Sequence, residues 1–310
     1  MNLPMKVRIK EVGPRDGLQN EKMFIETKDK VQWIDLLSKT GLDYIEVTSF
    51  VHPKWIPQLA DSGEVLKSIK RETGVTYAAL VPNIKGLERA LEVNVDEVSV
   101  FMSASEGHNK SNINKTIDET FPILKEVVNE AKKAKVSVRG YVSTVIACPY
   151  DGPVTPEQVL KVVEKLAEMG VSEISLGDTI GVGVPTQVEQ LLTVLLKYYP
   201  ANLFAMHFHD TRGTALANIV KSLELGITTF DSSTGGLGGC PYAKGASGNV
   251  STEDLLYLLS EMNIETGINM DALMEAAFFI EGKIGKKLPS KQMEIARNER
   301  SAKIDNARTI

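Results

Sequence analysis

Residues 155–179 read TPEQVLKVVEKLAEMGVSEISLGDT, and the reading of this stretch decides the fold. Thr155 offers a side-chain oxygen to cap a helix start, and Pro156 brings a backbone already set for the first turn. Val159, Val162, Val163 and Leu166 recur at helical spacing and so share one apolar face. Gly170 ends the pattern, as a residue free to turn left-handed does. A short apolar run, EISLGDT (173–179), then reads as a strand. Helix, glycine and strand form one repeating unit.

The same unit recurs along the chain. Strand candidates are VRIKEV (7–12), YIEVTSF (44–50), TYAALVP (76–82) and EVSVFMS (97–103). They continue with VSVRGYVSTVIA (136–147), EISLGDT, LFAMHFHD (203–210) and TTFDSS (228–233). Helix-period segments such as TKDKVQWIDLLSKTG lie between them, Gly41 and Gly226 act as further stops, and Pro185-Thr186 starts another helix. Regular βα alternation predicts a parallel sheet flanked by helices, and about eight units fit a closed TIM (β/α)8 barrel. A doubly wound open sheet is the rival. It calls for a glycine fingerprint after the first strand, where this chain has GPRDGLQNE. Helix candidates at 252–262 and 270–286 close the barrel and extend it, giving a domain over 1–286. A polar tail over 287–310 is expected to be poorly ordered.

Composition narrows the function. The chain has 310 residues and a net charge of −5 without long blocks of either sign, which excludes the basic footprint of a nucleic-acid binder. No apolar run is long enough to cross a bilayer, so no membrane partner is expected. The start, MNLPMKVRIKEVG, enters a strand-like run directly, without the long apolar stretch of a secretory signal, so secretion is not expected. With only Cys148 and Cys240, the expectation is a reducing, cytoplasmic setting. A barrel of this kind is expected to pair as a homodimer.

Barrel active sites lie at the carboxyl ends of the strands. Those positions carry Arg15 and Asp16, Glu46, Arg139, Asp178, His207 and His209, and Asp231. Buried charge without a partner costs several kcal/mol, so such residues in barrel strands have a task. In FAMHFHD (204–210) the two histidines are one pleat apart and project to one face. Spacing alone leaves two readings, a shared cation or two buried imidazoles that are merely hydrogen-bonded. Asp16 and Asn249 at neighbouring strand ends favour the cation. Arg15 in GPRDG is either half of a solvated ion pair or, with its backbone fixed by Gly13, Pro14 and Gly17, a planar donor to an oxyanion. The segment GGLGGCPYAKGASGN (235–249) is either a flexible surface loop or a lid carrying Cys240 in proton transfer. Cys148 reads as a buried or loop thiol without catalytic duty.

Together EVGPRDGLQNE, YIEVTSFVHPKWIPQLAD, SLGDTIGVG, HFHDTRGTALAN and GGLGGCPYAKGASGNVSTED resemble the 3-hydroxy-3-methylglutaryl-CoA lyase family over about residues 7–285. The resemblance implies a divalent cation, Mg2+ or Mn2+, held by Asp16, His207, His209 and Asn249. It implies an acyl-CoA substrate whose enolate Arg15 neutralises, with Cys240 in proton transfer and Asp16 or His207 as base. Glu46, Arg139 and Asp178 are expected at the substrate, with an orienting role for Glu46 and Arg139 weighted above direct chemistry. Lys286-Lys287 is either a solvated pair or a contact for CoA phosphate. Thr234-Gly235 stands where the family pattern has Val-Ala, away from every presumed ligand. A Claisen-type acyl-CoA synthase, a lyase for another 3-hydroxyacyl-CoA and a non-catalytic acyl-CoA binding barrel are the alternatives.

Overall fold

The computed structural model describes residues 3–238 and 248–308, with side chains through 302. Strands β1 (Arg8–Glu11), β2 (Tyr44–Ser49), β3 (Thr76–Leu80), β4 (Glu97–Ser103) and β5 (Ser137–Ser143) follow one another in space. After a small antiparallel hairpin, β6 (Ala147–Cys148) with β7 (Gly152–Pro153), come β8 (Glu173–Asp178), β9 (Phe204–Phe208) and β10 (Thr229–Ser232). The eight long strands close as β1-β10-β9-β8-β5-β4-β3-β2, the expected TIM barrel. Closure pairs Glu11 of β1 with Ser232 of β10, which brings the two ends of the barrel's chain path together.

The opening stretch behaves as its chemistry dictates. Thr155 and Gln158 form a reciprocal capping box, Pro156–Met169 is helical, and Gly170 caps it at φ 76°. Val159, Val162, Val163 and Leu166 are buried on the barrel's outer wall, where each fully buried side chain contributes roughly 1.5–3 kcal/mol. Gly41 is dictated twice over. Its φ is 93°, and a Cβ there would stand 2.3 Å from the carbonyl oxygen of Gly267.

The barrel interior departs from the usual packing of branched apolar residues. Lys10 and Arg139 are buried there and Glu173 is partly buried, with Lys10 Nζ 2.8 Å and Arg139 Nε 2.6 Å from the same Glu173 oxygen. Each charge has an opposite partner, as burial demands. This ionic layer is the floor beneath the mouth.

Three features lie outside the sequence expectations. The GPRDG turn is one turn of π-helix, with Arg15, Asp16 and Gly17 N–H groups all directed to the Val12 carbonyl. A short helix, Glu106–Ile113, rises over β4 behind an Ser105 cap. The tail is the third, and it corrects the expectation of poor order: Lys291–Arg308 is helical. Leu288, Ser290 and Met293 are buried at its base, and Asp254 accepts the Lys291 and Gln292 N–H groups.

Candidate functional site

Asp16 reaches the barrel mouth because of how its turn is tied down. Glu11 is fully buried and accepts from Gly13 N, Thr234 N, Thr234 Oγ1 and Thr252 Oγ1 at 2.7–2.9 Å. It thereby clamps the π-turn to the segment after β10. A Cβ on Gly13 would meet Glu11 Oε1 at 2.5 Å, so only glycine fits that close approach. Asn249 arrives from the other side. Asp210 N to Gly248 O and Val250 N to Phe208 O lay the 248–250 segment along the end of β9, facing His209.

These constraints converge. One ligand atom from each of Asp16, His207 and His209 lies within 4.8 Å of the others. Asp16 Oδ2 is 3.8 Å from His207 Nε2 and 3.9 Å from His209 Nε2. Asn249 Nδ2 donates to that same Asp16 oxygen at 2.8 Å and to the Leu237 carbonyl at 3.0 Å. Arg15 stands beside them, donating from Nε to Glu46 at 2.6 Å and from Nη1 to Asp16 at 2.7 Å. Among the described residues its Nη2 has no hydrogen-bond partner. Arg15, Asp16, His207 and His209 all line a cavity of about 660 Å³ at the carboxyl ends of the strands.

The electrostatics suit a cation. Burial acts to raise the Asp16 carboxyl, but Arg15, both histidines and the Asn249 amide outweigh it and hold it at about 2. Burial, with His207 and Arg15 nearby, lowers His209 to about 4, so its imidazole is neutral at neutral pH. Burial also opposes ionisation of Asp231, yet Arg139 and then His207 drive its carboxyl far below the usual range. Asp231 is therefore a carboxylate, and the His207 Nδ1 facing it at 3.1 Å carries the proton. His207 Nε2 is then the ring nitrogen that faces Asp16 Oδ2, at 3.8 Å. The Asp–His–His donor set suits a divalent cation.

The remaining expectations sort by position. Glu46, Arg139 and Asp178 are wholly buried and are not among the residues that line the cavity. Most of their polar atoms face protein partners, Glu46 Oε1 being the exception. Arg139 forks onto Asp231 at 2.6 and 3.2 Å, and Glu46 Oε2 accepts from Arg15 and from Tyr141 Oη. Asp178 accepts from Val182 and Gly183 N–H groups and so shapes the loop that carries Thr179 into the cavity. Lys286 pairs with Glu21 at 2.7 Å. Cys148 is buried in the hairpin and accepts from Ser105 Oγ. Cys240 lies outside the described residues, as does most of the glycine-rich segment.

Sequence reasoning missed the roles of Asp231, Tyr141, Glu11 and Glu253. One signal was present for Asp231: it pairs with His207 in the β10–β9 register, so two inward polar residues stand at one height. Glu253 had no local signal. It is buried and accepts the Gly235 N–H with both oxygens, bracing the first residues of the glycine-rich segment.

Fold and site thus define a (β/α)8 barrel with a candidate Asp–His–His cation centre at the carboxyl ends of its strands. The chain belongs to the HMGL-like family, whose model matches residues 6–280. It is 59% identical over 295 residues to hydroxymethylglutaryl-CoA lyase YngG of Bacillus subtilis, covering 95% of this chain and 99% of that protein. The crystal structure of the B. subtilis lyase superposes with a TM-score of 0.95, covering 96% of this chain and all 100% of the other. A Pseudomonas aeruginosa protein named 3-hydroxy-3-isohexenylglutaryl-CoA/hydroxymethylglutaryl-CoA lyase is 55% identical, over 92% of this chain and 95% of its own. An Acinetobacter baumannii HMG-CoA lyase solved with coenzyme A and 3-methylmalate is 38% identical, with a TM-score of 0.89 over 94% of this chain and 95% of that one.

Proposed function

We propose that this protein cleaves 3-hydroxy-3-methylglutaryl-CoA to acetoacetate and acetyl-CoA in a cation-dependent retro-Claisen reaction. One observation carries the reading: Asp16, His207 and His209 converge on a common point beside the Arg15 guanidinium, inside a cavity of substrate size. The names of relatives at 59% and 55% identity supply the substrate.

Asp16, His207, His209 and Asn249 would hold the ion. Carboxylate and amide oxygens favour Mg2+ or Mn2+, although the imidazoles also accept softer metals. When bound, the ion supplies Lewis acidity that acidifies the C3 hydroxyl. The protein residues do the rest. Asp16 or His207 takes the hydroxyl proton. As the C2–C3 bond breaks, its electron pair moves to the thioester oxygen. Arg15, already fixed by Glu46 and Asp16, presents its guanidinium to that developing enolate without reorganising. Cys240 then supplies the proton at C2. Glu46, Arg139 and Asp178 act by holding Arg15, Asp231 and the Thr179 loop in position. The few cysteines support a cytoplasmic setting. A homodimer is carried with the same reading, and sedimentation velocity measures it.

Acetoacetate assayed after mixing reduced protein, thioester and Mg2+ tests the reading. Acetoacetate and acetyl-CoA in equal amounts are expected, and absence of both would remove it. For Cys240→Ser, turnover is expected to fall about 100-fold or more while Mn2+ affinity holds within roughly threefold, the range of a lost proton donor. Unchanged turnover would take the thiol out of the reaction.

A further inference from the structure

The last helix, Lys291–Arg308, brings little apolar surface to its own docking. Met293 is buried, but Ile295 is 51% exposed. A polar clamp adds to what burial supplies. Glu281, on the helix Met270–Ile284, accepts from Arg297 Nη1 and, with the same oxygen, from Leu288 N at 2.8 Å. Arg297 Nη2 donates in turn to the Leu288 carbonyl at 3.2 Å. One part-buried ion pair thus holds both backbone polar groups of Leu288. The planar fork of an arginine is what lets a single side chain reach both acceptors.

Leu288 is where this clamp meets the barrel mouth. A Cβ on Gly235 would stand 2.3 Å from Leu288 Cδ1, and one on Gly236 would stand 3.3 Å from Pro289 Cγ. These two glycines turn with positive φ and carry no side chain to brace the turn. Leu288 and Pro289 brace it from outside, joining Glu253, which holds the Gly235 N–H. The turn delivers Leu237. Its carbonyl accepts from Asn249 Nδ2 at 3.0 Å, and its side chain lies on Gly17, where a Cβ would meet Leu237 Cβ at 2.9 Å. Gly17 directly follows Asp16, and Asn249 Nδ2 reaches Asp16 Oδ2 at 2.8 Å. Both Asn249 and Asp16 are therefore placed by reference to Leu237.

Contact is unbroken from Arg297 through Glu281, Leu288 and the glycine turn to Leu237. We propose that the Arg297–Glu281 pair is a positioning device for the cation site, fixing Leu288 against the glycine turn so that Leu237 keeps Asn249 and Asp16 in register. Neither Arg297 nor Glu281 is among the residues that line the cavity, so the pair acts only through the residues between. This rests on the cation-dependent lyase reading above and concerns how the ion is held. With the pair broken, the ion has to order its own ligands as it binds, and its affinity falls.

Titrating Mn2+ into metal-stripped protein, with free ion followed by electron paramagnetic resonance, tests this without substrate. Arg297→Met removes the fork, and Glu281→Gln keeps the shape but removes the charge. Each is expected to weaken Mn2+ binding by about three- to tenfold, the range for coupling carried through packed side chains. The double variant should lose no more than the worse single variant, because the two residues act as one device. Leu288→Val leaves both clamp bonds in place but draws the side chain back from Gly235, and a loss of about threefold is expected there too. In the acetoacetate assay, thioester KM should hold within roughly threefold while excess Mn2+ restores turnover. Urea midpoints expose a purely structural role. Lowered midpoints with unchanged Mn2+ affinity in all the single variants would overturn the proposal, and so would losses that add in full in the double variant. Absence of Mn2+ binding by the unaltered protein would remove the cation site and the proposal together. Mn2+ binding without acetoacetate would overturn the lyase reading alone, with the variants still scored by Mn2+.

Discussion

His207 Nδ1 faces Asp231 at 3.1 Å, and that contact determines which nitrogen remains for the Asp16 side. Asp231 is itself gripped by Arg139 and by Ser175 Oγ at 2.8 Å, so the orientation is inherited from the barrel floor. Asp231→Asn keeps the shape but lets an amide N–H face Nδ1, favouring the wrong tautomer. Mn2+ affinity is expected to fall about 10- to 100-fold, the usual cost of losing such a partner. Titration calorimetry on folded variant measures it, and unchanged affinity would deny Asp231 this role. Sequence showed that Glu46, Arg139 and Asp231 were polar residues in buried strands. It did not show their direction, because most of their partners lie 24 to 95 residues away and only barrel closure brings them together.

At the scale of elements, the glycine-rich segment is anchored where it leaves β10. Gly235 and Gly236 have φ 68° and 71°, and Glu253 holds the Gly235 N–H. Burial foremost, with the Glu11 and Asp254 charges added, lifts the Glu253 carboxyl from 4.5 to about 8 against the pull of the Gly235 hydrogen bond. The folded protein thus binds this proton where the unfolded chain has lost it. The contribution of Glu253 to stability is full below about pH 4.5 and is lost as pH rises to about 8. Glu253→Gln mimics the protonated form and removes that titration. Subtracting the two urea-unfolding curves leaves this group alone. Near pH 5 the two proteins should be similarly stable, with the Gln variant increasingly favoured up to pH 8. A difference that stays flat over that range would contradict the assignment. Helix caps were readable here because they are local, whereas the Glu253 brace is not: its hydrogen bond runs to Gly235 in another element.

For the whole molecule, alternation of period-2 and helical patterns was enough to give the barrel, since each βα unit buries its own apolar face. The final helix was not readable that way. Lys291–Arg308 is mostly polar, and its order derives from Leu288 and Met293 beneath it and from Asp254 at its start. Leu288 also packs on Gly235, where a Cβ would stand 2.3 Å from Leu288 Cδ1, so the C-terminal segment supports the base of the glycine-rich segment. The central claim is that this molecule breaks a carbon–carbon bond through one cation held by Asp16, His207, His209 and Asn249. It is tested by titrating Mn2+ into metal-stripped protein while bound ion and acetoacetate formation are followed in the same sample. Turnover is predicted to rise from near zero in proportion to bound Mn2+ and to level off at about one ion per chain, with both signals lost together in His207→Ala. Full turnover in the stripped protein, or in His207→Ala without bound ion, would contradict it.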